Sequence, residues 1–253
     1  MTVEIGLTPD GRWDTGFDGL VDAAGAAGFS ALGVAAGQVD AGTASALAAG
    51  GLRCHELLAL MVSDDAGATL ASAEVLAAAA GQVGAQWVLT VFRAGLTSET
   101  AEIIERCAAM FAEAGAGMAV EFSPLGPVAT LPVALEVVDA AGAGRAGVVI
   151  DTWHFGFGDS TFDDLAAVPL EQIAYVQFTD ALEPISDRPG RETMNRRALP
   201  GDGILDLERF AATLLDRGWN GLVSVEVLSD ELRERPVSEV ARLLHDSTAR
   251  YWA

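Results

Sequence analysis

A single-domain α/β protein folded as a closed (β/α)8 barrel is what this sequence predicts, and three observations carry the prediction. Short apolar runs alternate with longer Ala-rich runs of helical spacing along the whole chain, a rhythm of βαβ units. The strand-like runs number eight. A length of 253 residues with 51% hydrophobic content is enough to bury one large core and is typical of one such barrel spanning residues 1–253.

The elements follow in order. MTVEIGL enters the first strand, Val3–Leu7, almost directly, without a basic region and an apolar export segment, so the expected location is cytoplasmic. Phe17–Ala27 places apolar residues at helical spacing and ends at Gly25-Ala26-Ala27-Gly28, where glycine supplies the left-handed residue before the second strand, Ala31–Ala35. Arg53–Leu60 is the third strand and Ala66–Gly81 its helix; Trp87–Phe92 is the fourth and Ser98–Ala114 its helix, closed by Gly115-Ala116-Gly117. Neither glycine cluster follows a strand, as a dinucleotide-binding fingerprint must. Met118–Phe122 with Leu131–Ala141, Gly147–Ile150, Ile173–Phe178 with Leu207–Arg217, and Gly221–Val227 with Val237–Tyr251 complete the set. The stretch from Ala181 to Leu205, rich in Arg, Pro and Gly, is the longest loop and is expected to lie as a lid over the carboxyl ends of the strands.

Composition removes several functions. A net charge of −21 opposes binding to nucleic acid or an anionic membrane through a broad basic surface, and no apolar run approaches the ~18 residues of a membrane span. All fifteen basic residues are arginine, which excludes Schiff-base and pyridoxal-phosphate chemistry and a phosphate-binding lysine. Cys54 and Cys107 are too few and too far apart for a disulfide framework or a zinc ribbon and read as reduced core residues.

Four apolar runs stop at a polar residue that a buried strand has no reason to carry: Glu121 in MAVEF, Asp151 in VVIDTWH, Gln177 in YVQFTD and Glu226 in LVSVEVL. Carboxyl ends of parallel strands converge on one face, so these four project toward one axis. Alone, each reads best as a rim residue or an ion-pair partner. Together, three clustered carboxylates would repel one another unless a cation neutralised them, and oxygen ligands of this kind suit Mn, Mg or Co better than a structural zinc. His154, three residues past Asp151, is expected at the barrel mouth. His55, beside Glu56 in the third strand, either lines the pocket or closes a structural hydrogen bond, and His245 reads as surface. Arg93, at the end of the fourth strand, could bind substrate oxygens; Trp13, Trp87, Trp153 and Phe155 could form an apolar wall for a sugar ring.

These residues resemble the sugar phosphate isomerase/epimerase family, the xylose isomerase-like TIM barrels, over essentially the whole chain. The resemblance implies one divalent metal (Mn, Mg, Co or Zn) held by Glu121, Asp151, Gln177 and Glu226. Gln177 is a departure, because most members carry His there. The glutamine, together with D-x-x-H from Asp151 to His154, Q-x-x-D from Gln177 to Asp180 and R-R-x-x-P-G-x-G from Arg196 to Gly203, is similar to the bacterial 3-dehydroshikimate dehydratases of the same superfamily. The resemblance also places an arginine, at about Arg196, against substrate oxygens.

The chemistry it implies is proton abstraction next to a carbonyl. Glu121 and Glu226 on opposite sides of a keto-sugar or related polyol would remove and return a proton, giving isomerisation or epimerisation. If a β-hydroxyl leaves instead, with His154 as general acid, the same site is a dehydratase of a 3-dehydroshikimate- or inosose-like substrate. A non-catalytic sugar-binding barrel is the remaining alternative, and keeping all three carboxylates argues against it. A multi-zinc nuclease would need more than three histidines and a basic groove. Self-association stays open, since Tyr251-Trp252 could pack on its own barrel or against a neighbour.

Overall fold

The computed structural model describes residues 3–252. Eight parallel strands close into a barrel: β1 (Glu4–Leu7), β2 (Ala31–Ala35), β3 (Arg53–Val62), β4 (Trp87–Phe92), β5 (Gly117–Glu121), β6 (Ala146–Asp151), β7 (Ile173–Phe178) and β8 (Leu222–Val225). Each pairs with the next, and β8 closes on β1 from Glu4↔Leu222 to Leu7↔Val225. The strands are hydrophobic on both faces because helices cover the outside and side chains fill the inside.

The long helices lie where apolar spacing puts them: Phe17–Ala27, Ala66–Val83, Ser98–Glu113, Leu131–Ala140, Leu207–Leu215 and Val237–Trp252. Polar caps set their starts, with Asp65, Thr97, Thr130 and Asp206 each accepting a first-turn N–H. Gly28 ends the first of them at φ 97°, a left-handed conformation in which any side chain would be strained. The last helix packs beside the first, and its Trp252 meets Phe178 at 5.3 Å and Trp219 at 5.7 Å between ring centres. The aromatic terminus therefore packs on its own barrel.

Among the departures from a regular barrel, two shape the site. Along β2 and β3, Leu32 pairs with Cys54 and Gly33 with Glu56, which skips His55. This bulge brings two consecutive β3 side chains to Tyr175: the His55 ring at 5.6 Å and the Glu56 carboxylate, which accepts its hydroxyl. Gly33 makes the room, because a Cβ there would come within 2.7 Å of Glu56 Oε1. The second departure is the stretch 181–205. It is an ordered cover, with a helix, Pro189–Asn195, and a two-residue ribbon pairing Asp180–Ala181 with Arg197–Ala198. Among the described residues no helix is long and apolar enough to cross a membrane.

Candidate active site

Glu121 ends β5, Asp151 ends β6, Gln177 lies on β7 directly beside Asp151, and Glu226 follows β8. One ligand atom from each of Glu121, Asp151 and His154 lies within 4.8 Å of the others. The D-x-x-H spacing has a local cause. Asp151 caps the helix Thr152–Phe157, its Oδ1 accepting from the backbone N–H of Trp153 at 2.7 Å and of His154 at 3.0 Å. The cap turns the chain so that His154 stands beside its own anchor. His154 Nδ1 lies 3.3 Å from Ser123 Oγ, and Nε2 lies 3.7 Å from Glu121 Oε1.

One arginine faces this cluster. Arg197 Nη1 lies 2.7 Å from Asp151 Oδ2 and 3.1 Å from Glu226 Oε2, while its Nε and Nη2 donate to Thr193. Three carboxylates thus face one guanidinium. Burial opposes the charge on Asp151, but Arg197 and then His154, through its ring and its backbone N–H, outweigh it and keep its pKa below the ordinary value. Glu121 goes the other way: burial, then Asp151 and Glu226, push it well above the ordinary range. Burial lifts Glu226 to about 8 despite Arg197. Burial lowers His154 to about 4, so its imidazole is neutral at pH 7.

The buried side-chain amide of Gln177 has no hydrogen-bond partner at either Oε1 or Nε2. Buried polar atoms are rarely left so, and an orphaned amide oxygen beside surplus carboxylates fits a hard cation. Glu121, Asp151 and His154 could hold such a cation, and Gln177, directly beside Asp151, could add its amide oxygen.

Several expected positions need correction. Arg196 does not face the site: its Nε pairs with Glu192 at 2.9 Å and its Nη2 donates to the Glu183 carbonyl. Arg196 closes the helix Pro189–Asn195, while its neighbour Arg197 opens the ribbon and takes the inward position. His55 does not line the cavity. It is fully buried, with Nε2 3.2 Å from Glu56 Oε1. None of the four aromatic residues expected to form a wall lines the cavity: Trp13 and Phe155 belong to the outer core, Trp87 packs against the apolar cluster inside the barrel, and Trp153 is buried beneath Arg197, whose guanidinium carbon is 5.9 Å from its ring centre. Arg93 does border the cavity, and His245 is half-buried against Phe29.

Two carboxylates escaped the sequence reading as parts of the site. Glu56 is wholly buried and accepts hydrogen bonds from Thr8 and Tyr175. Burial raises its pKa, and the His55 imidazole and the two hydroxyls more than reverse that, so it stays ionised. The glycine opposite it was the available signal. Asp10, after β1, binds Arg12 Nε at 2.8 Å and Arg233 Nη1 at 2.7 Å, while both arginines also donate to Asn195 Oδ1. This clasp ties the helix Pro189–Asn195 to the loops after β1 and β8. Burial raises the Asp10 pKa, but the bonds from Arg12 and Arg233 lower it further than burial lifts it. Its contribution to stability is therefore complete above the unfolded carboxylate value near ~4 and is lost as pH falls through the lower folded value. Asp10→Asn should flatten this part of the acid unfolding curve; an unchanged pH dependence of the denaturation midpoint between about pH 5 and 2 would contradict it.

Above the carboxylates opens a cavity of about 740 Å³ that reaches Asp10, Arg12, Arg93, Glu121, His154, Arg197 and Glu226. Its size suits a small molecule. Fold and site together define a (β/α)8 barrel with an acid-rich, cation-suited mouth. The chain belongs to the xylose isomerase-like TIM barrel family, whose model matches residues 21–247. It is 31% identical to an inosose isomerase of Halalkalibacterium halodurans over 53% of this chain and 47% of that protein, so the match spans about half of the relative's length. It is 32% identical to a 3-dehydroshikimate dehydratase of Pseudomonas aeruginosa over 43% of this chain but 17% of that protein. Its fold matches that of the IOLI protein crystallised with a bound zinc atom, with a TM-score of 0.84, 17% identity and 99% coverage of both chains.

Proposed function

We propose that this barrel is a divalent-metal-dependent isomerase or epimerase that moves a proton next to the carbonyl of a keto-sugar or related polyol. The observation that carries the reading is the gathering of three strand-end acids, two of them with raised pKa, around one guanidinium beside the orphaned Gln177 amide. The likeness to inosose isomerases over half their length supports it. A divalent cation, when bound, supplies Lewis-acid stabilisation of negative charge on a carbonyl oxygen.

The chain's own groups do the rest. Glu121 and Glu226 reach the cavity from separate strands, and the raised pKa of each favours accepting and holding a proton at its carboxylate. Arg197 Nη1 fixes the Asp151 and Glu226 carboxylates and lines the cavity, where its guanidinium can meet a substrate oxygen. The neutral His154, with Nε2 toward Glu121, can pass a proton to or from it. The second reading, a dehydratase of a 3-dehydroshikimate- or inosose-like substrate, uses His154 to relay the proton held at Glu121 to a leaving hydroxyl. The Gln at position 177 and the likeness to a 3-dehydroshikimate dehydratase favour it.

The test is the metal content of the purified protein beside Glu226→Gln, followed by α-proton exchange of candidate ketones in D2O. Near-stoichiometric Mn, Mg, Co or Zn is expected in the wild type, sharply reduced in the variant. Because Glu226 holds its proton up to about pH 8, adding Mn²⁺ at pH 7 should release protons, and affinity should rise with pH up to that value. No metal in either protein after excess Mn²⁺, with no proton release, would sink the enolisation mechanism and favour a binding barrel.

A further inference from the structure

The cavity has two unlike sides. Glu121, His154, Arg197 and Glu226 make one of them. On the side of β3 and β4 the wall is Ala59, Met61, Leu89, Val91 and Phe92, with Arg93 as the charged group at its upper end, and Leu125 and Met194 carry it to the rim. Met61, Leu125 and Met194 are also three of the seven exposed large hydrophobic side chains among the described residues. Singly exposed hydrophobics need no explanation, but three gathered at the rim of one cavity mark apolar surface reserved for a ligand.

A fully hydroxylated chain held with its carbonyl end at the carboxylates would press its remaining hydroxyls against these alkyl groups. Those set against Ala59, Leu89 and Val91, below Arg93 and the exposed rim, would lose water and find no partner, and an unmade hydrogen bond is the expensive case. An alkyl group in the same place loses nothing and covers Met61, Val91 and Leu125. We propose that the substrate is amphipathic: an α-hydroxyketone head that meets the carboxylate side, joined to an alkyl or other apolar group that lies on the β3–β4 wall. The head rests on the enolisation reading above; the apolar end rests on the wall alone. The sugar-like part of the substrate is thereby confined to one end of the molecule.

Two six-carbon ketones share one hydroxymethyl-ketone head and test this. 1-Hydroxy-2-hexanone carries methylenes beyond it, and D-fructose carries hydroxyls. Binding to the Mg²⁺-loaded protein is titrated by ligand-detected NMR, with fructose corrected for its open-chain fraction. The hydroxyhexanone is expected to bind at least about tenfold more tightly, and Val91→Thr, close in shape, to shrink that ratio severalfold. Equal or weaker binding of the hydroxyhexanone, no saturable binding by either ketone, or a ratio unmoved by Val91→Thr would overturn the proposal. Exchange of the α-protons with D2O reads the other claim separately. Preferential binding without any exchange would uphold the apolar wall and remove the enolisation reading.

Discussion

Arg197→Met is expected to destabilise the metal-free protein by about 3–5 kcal/mol, the cost of breaking a buried pair from one side. Asp151 is fully buried, and without the 2.7 Å contact it keeps only the backbone donors of its own helix cap. Methionine would fill much of the volume, so the loss would report charge rather than a void. A divalent cation should return part of the loss, because it compensates the same carboxylates. Urea denaturation of both proteins, with chelator and with millimolar Mn²⁺, would measure this. A difference under about 1 kcal/mol in chelator would mean that Asp151 is neutral there and that the charge surplus is smaller than argued.

Asp180→Ala should cost about 3 kcal/mol and loosen the mouth selectively. Asp180 is buried, and its carboxylate accepts from the backbone N–H groups of Ala181, Gly201, Gly203 and Leu205 at 2.8–3.1 Å. Gly203 must be glycine for this, because a Cβ would come within 2.4 Å of Asp180 Oδ1. The variant leaves those donors without an acceptor. Hydrogen exchange at Gly201, Gly203 and Leu205 should accelerate far more than exchange in the barrel strands. Uniform acceleration across the chain would show that Asp180 supports global stability only.

The same residues show what a sequence can disclose. Strand and helix positions were legible because burial imposes periodicity, and helix starts because caps need particular side chains. Glu121, Asp151, Gln177 and Glu226 could be read because each breaks an apolar run at a strand end. Arg196 and Arg197 could not be told apart: Arg196 closes the helix Pro189–Asn195 and Arg197 opens the ribbon opposite Ala181, and only that boundary decides which faces inward. The aromatic wall failed for a related reason. Trp153 sits one residue from His154 on a helix of six residues, and a single step along such a helix exchanges the cavity for the core. The Q-x-x-D and P-G-x-G motifs were visible, but their purpose, a carboxylate receiving the backbone of a loop more than twenty residues away, is a tertiary fact.

The polar plane inside the barrel bears on how such a protein can change over time. Gly33 is small because Glu56 is large; Glu56 is tolerated because Thr8 and Tyr175 donate to it; and Thr8 in turn contacts Ser224 at 2.6 Å. Four strands are thereby bound to one another's identities. A substitution at any one of these positions meets partners fitted to its predecessor, so the set resists change one residue at a time, whereas mouth side chains such as Met61 and Met194 answer to no such company.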